Sequence, residues 1–574
     1  MTNLIRKGKK IFTSPQTSIL SAATVIMFMI VVSRVLGLVR QRILAHFFLP
    51  SELSLFFAAF RLPDTIFEVL VFGTFSSAFI PVFSKLVDKK RKDAWDLAGT
   101  ISTIGFSAFI LVAIIVSVFA DDLYGLLAAG YTDIERDTVV QLTKILFAAQ
   151  GFFVLSYVLT GVLESLRRFL VPALAPLFYN LGIILGTIFL SPRLGLVGPT
   201  VGVFIGASLH FLIQLPLAVK LGYRVKLNLK INDHVKKIGK LAMPRIIELV
   251  FVQAVKSVEL YLSSFISTAS YAYYYFGNTI QLLPVGLFGT SIAKAALPTL
   301  SKQSDDLGKF RRSLWSSLYQ VVFMVAPLAT ILIVLRIPIV RLVFGTEIFD
   351  WESTVRTGQV VSAFALGVVF QASISLLARA FYALHETKTP VLVSIFSMVL
   401  IVVLNFVFIR SLNLPVWGLA VSYSLGSMLQ AITLYLLLAK RTKVESIIQL
   451  SVPFLKHLLA SISSGVVMYV LMKFFDRSVW VKRLSFLGRI EASKTINFER
   501  FVLDTRFTLN LLFLTIVVSA IGGAVYILVS MFLKTKEVWI FFNLVKRTFI
   551  KRKVAEVPEG ESESVIPPQT DTQN

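Results

Sequence analysis

Fourteen apolar stretches divide this chain, and a run of roughly 20 apolar residues has one stable home, a helix across a bilayer that bonds its own backbone groups. The stretches cover residues 17–44, 52–84, 96–119, 140–164, 172–190, 196–219, 238–266, 272–300, 313–335, 356–382, 390–410, 416–439, 454–474 and 508–533. Only 16% of the 574 residues are charged and 56% are hydrophobic, where a soluble domain is about a quarter charged. A soluble enzyme with a single anchor is excluded. The expected fold is an all-α polytopic membrane protein of about fourteen transmembrane helices.

The formal charge of +25 could point to nucleic acid, but the pattern favours a membrane topology. Basic runs follow span 2 (Lys85, Lys89 to Lys92), span 6 (Lys220, Arg224, Lys226, Lys230) and span 8 (Lys302, Lys309, Arg311, Arg312), and recur after spans 4, 12 and 14. The loop after span 3 is acidic instead, with Asp121, Asp122, Asp133, Glu135 and Asp137. Lys and Arg collect on cytoplasmic loops, so both termini are expected in the cytoplasm, and no nucleic-acid partner is expected. The basic N-terminus (Arg6, Lys7, Lys9, Lys10) runs into span 1 without a small-residue cleavage site, so that span is expected to stay in the mature protein. The loop 475–506 is discordant, being predicted outside yet basic; an interfacial amphipathic segment would account for it. With no cysteine, no P-loop and five scattered histidines, disulfides, thiol chemistry and a built-in ATP motor are excluded.

Span 2 ends with Phe72-Gly73-Thr74, then Pro81 and Ser84-Lys85; span 8 ends with Phe288-Gly289-Thr290, then Pro298 and Ser301-Lys302. Copies separated by six spans run in parallel, the plan of a two-lobed carrier with a central cavity. The expected organisation is a cytoplasmic N-terminus (1–16), an N-lobe of spans 1–6 (17–220) and a C-lobe of spans 7–12 (238–440). Spans 13 and 14 (454–533, with the external loop 475–506) follow as an appendix, then a basic amphipathic segment (534–553) and a disordered tail (554–574).

Charges at membrane depth are costly, which makes each one a functional candidate. Span 1 carries Arg34 and Arg40; six residues place them some 120° apart on an ideal helix, and Gly37 between them could bend the helix so that both face one cavity. Guanidinium suits phosphate because it is permanently charged and binds two oxygens at once. Span 2 has Arg61, Asp64 and Glu68, and span 8 has Lys294 at a repeat-related position. In span 7, Glu248 and Glu259 return to nearly the same face, with Lys256 one turn before Glu259. These carboxylates are candidates for Na⁺ or H⁺ coupling or for an ion pair between lobes. Gly198, Gly202 and Gly206 give span 6 a small-residue stripe suited to close helix packing.

Several stretches together resemble the MurJ (MviN) family of lipid II flippases, within the superfamily that includes multidrug exporters. They are SRVLGLVRQ (Ser33–Gln41), FFAAFRLPD (Phe56–Asp64), FGTFSSAFIP (Phe72–Pro81), ESLRRFLVPALAP (Glu164–Pro176), LLPVGLFGTSIAKAALPTLSK (Leu282–Lys302) and ARAFYALHETKTP (Ala378–Pro390). The resemblance covers roughly residues 17–440. It implies a non-enzymatic carrier in the bacterial inner membrane that moves undecaprenyl-diphosphate-linked GlcNAc–MurNAc-pentapeptide outward by alternating access, with cell-wall synthesis proteins as potential partners. It also implies that Arg34 and Arg40 meet the diphosphate, that Arg61 is a basic position near the cavity mouth, and that Glu259 and Glu386 are the acids nearest to a Na⁺ site found in some members. This chain departs from the family pattern where Phe67, Phe72, Ser54 and Thr279 stand at charged family positions. Lys294, Arg245 and Lys256 are the candidates to replace the missing cations. The rival expectations are a flippase for another polyprenyl-linked glycan, a cation or drug exporter, and a cell-wall scaffold that transports nothing.

Overall fold

The computed structural model describes residues 19–72, 79–224, 231–476, 503, 505 and 507–542. The N-terminal segment, Gly73 and Thr74, the side chain of Arg245, most of the loop 475–506 and everything beyond residue 542 lie outside the described residues. Among the described residues twelve helical segments are long and apolar enough to cross a membrane, and two further segments lie where the first and second spans are expected.

The N-lobe opens with α1 (Ile19–Phe47). A jointed second path follows: α2 (Pro50–Ala59), α3 (Arg61–Phe67), a π-helical turn (Glu68–Phe72) and α4 (Ile80–Lys89). Next come α5 (Arg91–Val118), the short α6 (Ala120–Leu127), α7 (Asp133–Ser165), α8 (Leu170–Leu194), α9 (Val197–Leu212) and α10 (Leu215–Leu221). The C-lobe repeats the plan. It comprises α11 (Asp233–Ile266), then α12 (Ser270–Pro284), a π-helical turn (Val285–Thr290) and α13 (Ser291–Lys302) as one path. After these come α14 (Leu307–Val334), the short α15 (Arg336–Phe344), α16 (Trp351–Ala383), α17 (Lys388–Phe406) and α18 (Trp417–Arg441). The chain continues through α19 (Ile447–Phe475) and α20 (Thr508–Phe532), which pack on each other and on α14.

The sequence repeat is visible as matched irregularities. The jointed second and eighth paths each hold a π turn beside the Phe-Gly-Thr motif. The short α6 and α15 begin 336 − 120 = 216 residues apart, the spacing of the motif copies. The central helix of each lobe also corresponds: 61% of the most apolar part of α7 and 67% of that of α16 is buried, against 22% for α5. α7 is started by a capping box, in which Glu135 Oε2 accepts the Thr132 N–H at 2.9 Å and the Thr132 hydroxyl faces the Glu135 N–H.

The glycine stripe of α9 meets two glycines of α8. A Cβ on Gly182 would lie 2.4 Å from the Cα of Gly206, and one on Gly186 would lie 2.5 Å from the Cα of Gly202. The two backbones therefore touch directly, gaining packing that larger side chains would prevent.

Candidate functional site

A cavity of about 360 Å³ lies between the lobes. Arg40 comes from α1, Phe57, Arg61 and Asp64 from the jointed second path, and Tyr179 from α8; Lys256 and Glu259 come from α11, and Tyr271, Tyr274, Tyr275 and Asn278 from α12. Three cations and two carboxylates thus share one enclosure with a set of phenol groups.

Arg40 offers this cavity a donor without a partner among the described residues. Its Nε is buried with no hydrogen-bond partner among the described residues, and its guanidinium stands 5.9 Å from the Tyr179 ring. Leaving a buried charged donor unpaired costs on the order of 1–3 kcal/mol or more, a cost that an incoming anion would offset. Arg61, by contrast, is committed. It is 5% exposed, donates to the Thr65 hydroxyl at 2.9 Å and donates through Nη2 to Gln253 Oε1. The Gln253 amide N–H in turn donates to Glu68, and Lys256 Nζ lies 3.3 Å from the same carboxylate. A single neutral glutamine therefore joins a cation and an anion of the second path to α11 across the lobe boundary. Asp64 accepts from Gln150 of α7 at 2.6 Å. Glu259, 5% exposed, has the Tyr274 hydroxyl as its partner.

The cavity is capped at the end where α1, α5 and α11 finish and α2, α7 and α12 begin. There the Ala272 N–H donates to Ser54 Oγ at 2.8 Å, and Phe57 stacks on Tyr275 with ring centroids 4.0 Å apart. The Gly130 N–H donates to Ser264 Oγ at 3.0 Å, and the Thr268 hydroxyl donates to Glu135 at 2.7 Å. Arg42 Nη1 donates to the Leu342 carbonyl at 2.7 Å, and the Thr346 hydroxyl to the Ala45 carbonyl at 2.8 Å. Gly130 has no room for a side chain, because a Cβ there would lie 2.4 Å from the Ser264 carbonyl oxygen.

The remaining sequence candidates lie elsewhere. α1 continues as one helix through Gly37, and Arg34, exposed, reaches across to the other lobe, where a Cβ on Gly286 would be 3.6 Å from its Nη2. Lys294 is exposed on α13, within electrostatic reach of Glu164 at the end of α7. Glu248 is half-buried on α11, away from the cavity lining. Glu386, between α16 and α17, accepts from Thr389 and lies 3.9 Å from Arg441, so Glu259 and Glu386 do not meet. Among the described residues no cluster of three or more acidic or histidine side chains is arranged to hold a metal. Of the three candidate replacements for the missing cations, Lys256 lines the cavity. Phe67, at a charged family position, packs on Tyr157 in the N-lobe core with ring centroids 5.2 Å apart.

Comparison with known proteins agrees with this geometry. The family model described as "Lipid II flippase MurJ" matches residues 43–490. The probable lipid II flippase MurJ of Haemophilus influenzae is 28% identical over 502 residues, covering 82% of this chain and 97% of that protein. The lipid II flippase MurJ of Thermosipho africanus is 29% identical over 452 residues, covering 78% and 90%. A solved lipid II flippase MurJ in an inward closed conformation superposes with a TM-score of 0.69 at 25% identity, over 87% of this chain and 98% of that one. An inward-facing multidrug resistance transporter of the MATE family matches with a TM-score of 0.57 at 15% identity, over 72% and 96%, which speaks to the fold alone.

Proposed function

The chain belongs to the MurJ family of lipid II flippases, and from that premise we propose that its interlobe cavity carries the diphosphate head of lipid II across the bacterial inner membrane. The observation that carries the assignment is Arg40, a guanidinium with a buried unpaired N–H in a hollow between two lobes. An always-charged, two-pronged donor matches a diphosphate, and pairing offsets the desolvation that otherwise keeps such a head group out of a bilayer.

The alternation of basic and acidic loops supports an orientation with both termini in the cytoplasm. The capped end is then the outer one, and the head group enters from the inner side past Arg34. The undecaprenyl tail stays in lipid beside the lobes. The same cations that bind substrate also fasten the lobes. A diphosphate that attracts Lys256 and Arg61 weakens their hold on Glu68 and Gln253, and so favours the state in which the second path parts from α11. A ligand shifts such an equilibrium only by its differential affinity for the two states, and this competition supplies one.

Charge balance suggests how transport is driven. Arg40, Arg61 and Lys256 are matched by Asp64, Glu68 and Glu259, so the site is close to neutral before a doubly charged head group enters. Protons or Na⁺ taken up on Asp64 and Glu259 would restore neutrality, which makes these acids the coupling candidates. The protein then acts as a carrier without covalent chemistry, beside the enzymes that make and polymerise its cargo.

The test is lipid II exposure at the outer surface of cells depleted of their own flippase and supplied with variants. Arg40→Ala is expected to lose at least tenfold in rate, the scale of a lost charge-assisted hydrogen bond, with Arg40→Lys in between. Full rescue by Arg40→Ala would refute the assignment.

A further inference from the structure

A second cavity, of about 460 Å³, lies outside the transport path, on the outer face of the N-lobe between α5 and α7. Its lining is apolar (Ile110, Ala113, Ile114, Phe147) except at one end, where Ser117 and Lys144 stand. Lys144 is exposed, and among the described residues no carboxylate forms an ion pair with it. Of the acids between α5 and Lys144, Asp121 and Asp133 are taken by Arg136 at 2.8 Å and 2.9 Å.

The surroundings place this cleft in lipid. Leu111, Ile114 and Val118 on the same part of α5 are 61%, 60% and 72% exposed, which an apolar solvent tolerates and water does not. The depth is also defined. α5 ends at Val118, one residue beyond Ser117, and Lys144 of α7 lines the cleft with them, so the lysine stands level with the end of the α5 span although α7 itself continues past it to Asp133. An ammonium facing hydrocarbon is costly, whereas an ammonium at the level of the head groups above an apolar cleft complements a lipid with its phosphate at the rim and a chain below.

We propose that the α5–α7 cleft is a binding site for an anionic glycerophospholipid, whose phosphate pairs with Lys144 while one acyl chain lies along Ile110, Ala113, Ile114 and Phe147. The site is separate from the interlobe cavity, and no residue of the transport machinery takes part. A snorkelling lysine with no resident lipid is the rival, and the experiment decides between them.

The experiment places a photo-crosslinking amino acid at Ser117 in the full-length protein, reconstituted in vesicles of phosphatidylcholine with or without phosphatidylglycerol, and reads the lipid adduct on that peptide by mass spectrometry. Phosphatidylglycerol is expected to crosslink to the parent and to Lys144→Arg. The yield should fall about fivefold in Lys144→Leu, the factor one basic residue contributes at an anionic surface. Ala148→Trp, which fills the cleft without touching the charge, should also lose the adduct. Equal yields in the parent and Lys144→Leu, or equal capture of phosphatidylcholine and phosphatidylglycerol by the parent, would overturn the proposal. Because the lysine is exposed, its replacement leaves folding intact, and retained transport by Lys144→Leu separates this site from the interlobe reading.

Discussion

Replacing Gly130 with alanine should pry open the capped end of the transport path. The added Cβ would lie 2.4 Å from the Ser264 carbonyl oxygen, 2.5 Å from its carbon and 2.7 Å from the Phe265 nitrogen. All three are backbone atoms of α11, so no side chain can rotate away, and the turn between α6 and α7 must withdraw by about 1 Å to reach ordinary contact. Forced overpacking of this kind costs roughly 1–3 kcal/mol. Withdrawal also stretches the Gly130–Ser264 hydrogen bond of 3.0 Å, worth about 1 kcal/mol net. The capped state then loses about 2–4 kcal/mol against its competitors, a shift of roughly 30-fold to 1,000-fold in population. The chain has no cysteine, so a single Cys at Asn278, in the cavity lining, reports access directly. Labelling by an impermeant maleimide applied from outside should accelerate in Gly130→Ala and stay unchanged in the control Gly125→Ala, where a Cβ meets nothing within 4 Å. Equal labelling rates in Gly130→Ala and the parent would refute the argument that this contact holds the gate shut.

Two further outcomes follow from the same structure. Gln253→Ala removes the bridge between Arg61 and Glu68 and leaves the buried Arg61 and the half-buried Glu68 each short of a partner; outside labelling of the Asn278 Cys should rise and thermal stability in detergent should fall by about 1–3 kcal/mol, while an unchanged melting curve with unchanged labelling would count against the latch. Gly186→Ala puts a Cβ 2.5 Å from the Cα of Gly202 and should lower the melting temperature and the yield of folded protein, in contrast to Gly523→Ala, which meets nothing within 4 Å.

How far the sequence could be read depended on what kind of signal each feature leaves. Spans are written as runs of apolar residues, and the repeat as a shared Phe-Gly-Thr; both survive in the structure because burial in lipid depends on local composition. Arg40, Arg61 and Glu259 were legible because charge inside an apolar run is conspicuous. Their partners were not. Gln253 and Asn278 are neutral and become significant only when α11 and α12 meet the second path. The run Tyr271 to Tyr275, with three further phenols beside Tyr271, was a usable signal, since so many hydroxyls at membrane depth need somewhere polar to point. Arg34 shows the opposite case: the helical phase alone set it some 120° from Arg40, and the structure leaves the two apart. Arg42 ties α1 to the far lobe through the Leu342 carbonyl, and nothing in the sequence sets it apart from the other basic residues near span ends.

The paired π turns have a mechanical consequence. A π turn stores one residue of slack, and such slack can migrate along a helix without breaking it. Each residue it passes is rotated by about 100° and advanced by about 1.5 Å. Movement of the bulge at Val285–Thr290 towards its neighbour α13 would therefore swing Lys294 around the axis while leaving Tyr274 and Tyr275 in place. With the counterpart at Glu68–Phe72, the two jointed paths carry a matched pair of swivels, each set midway along its path.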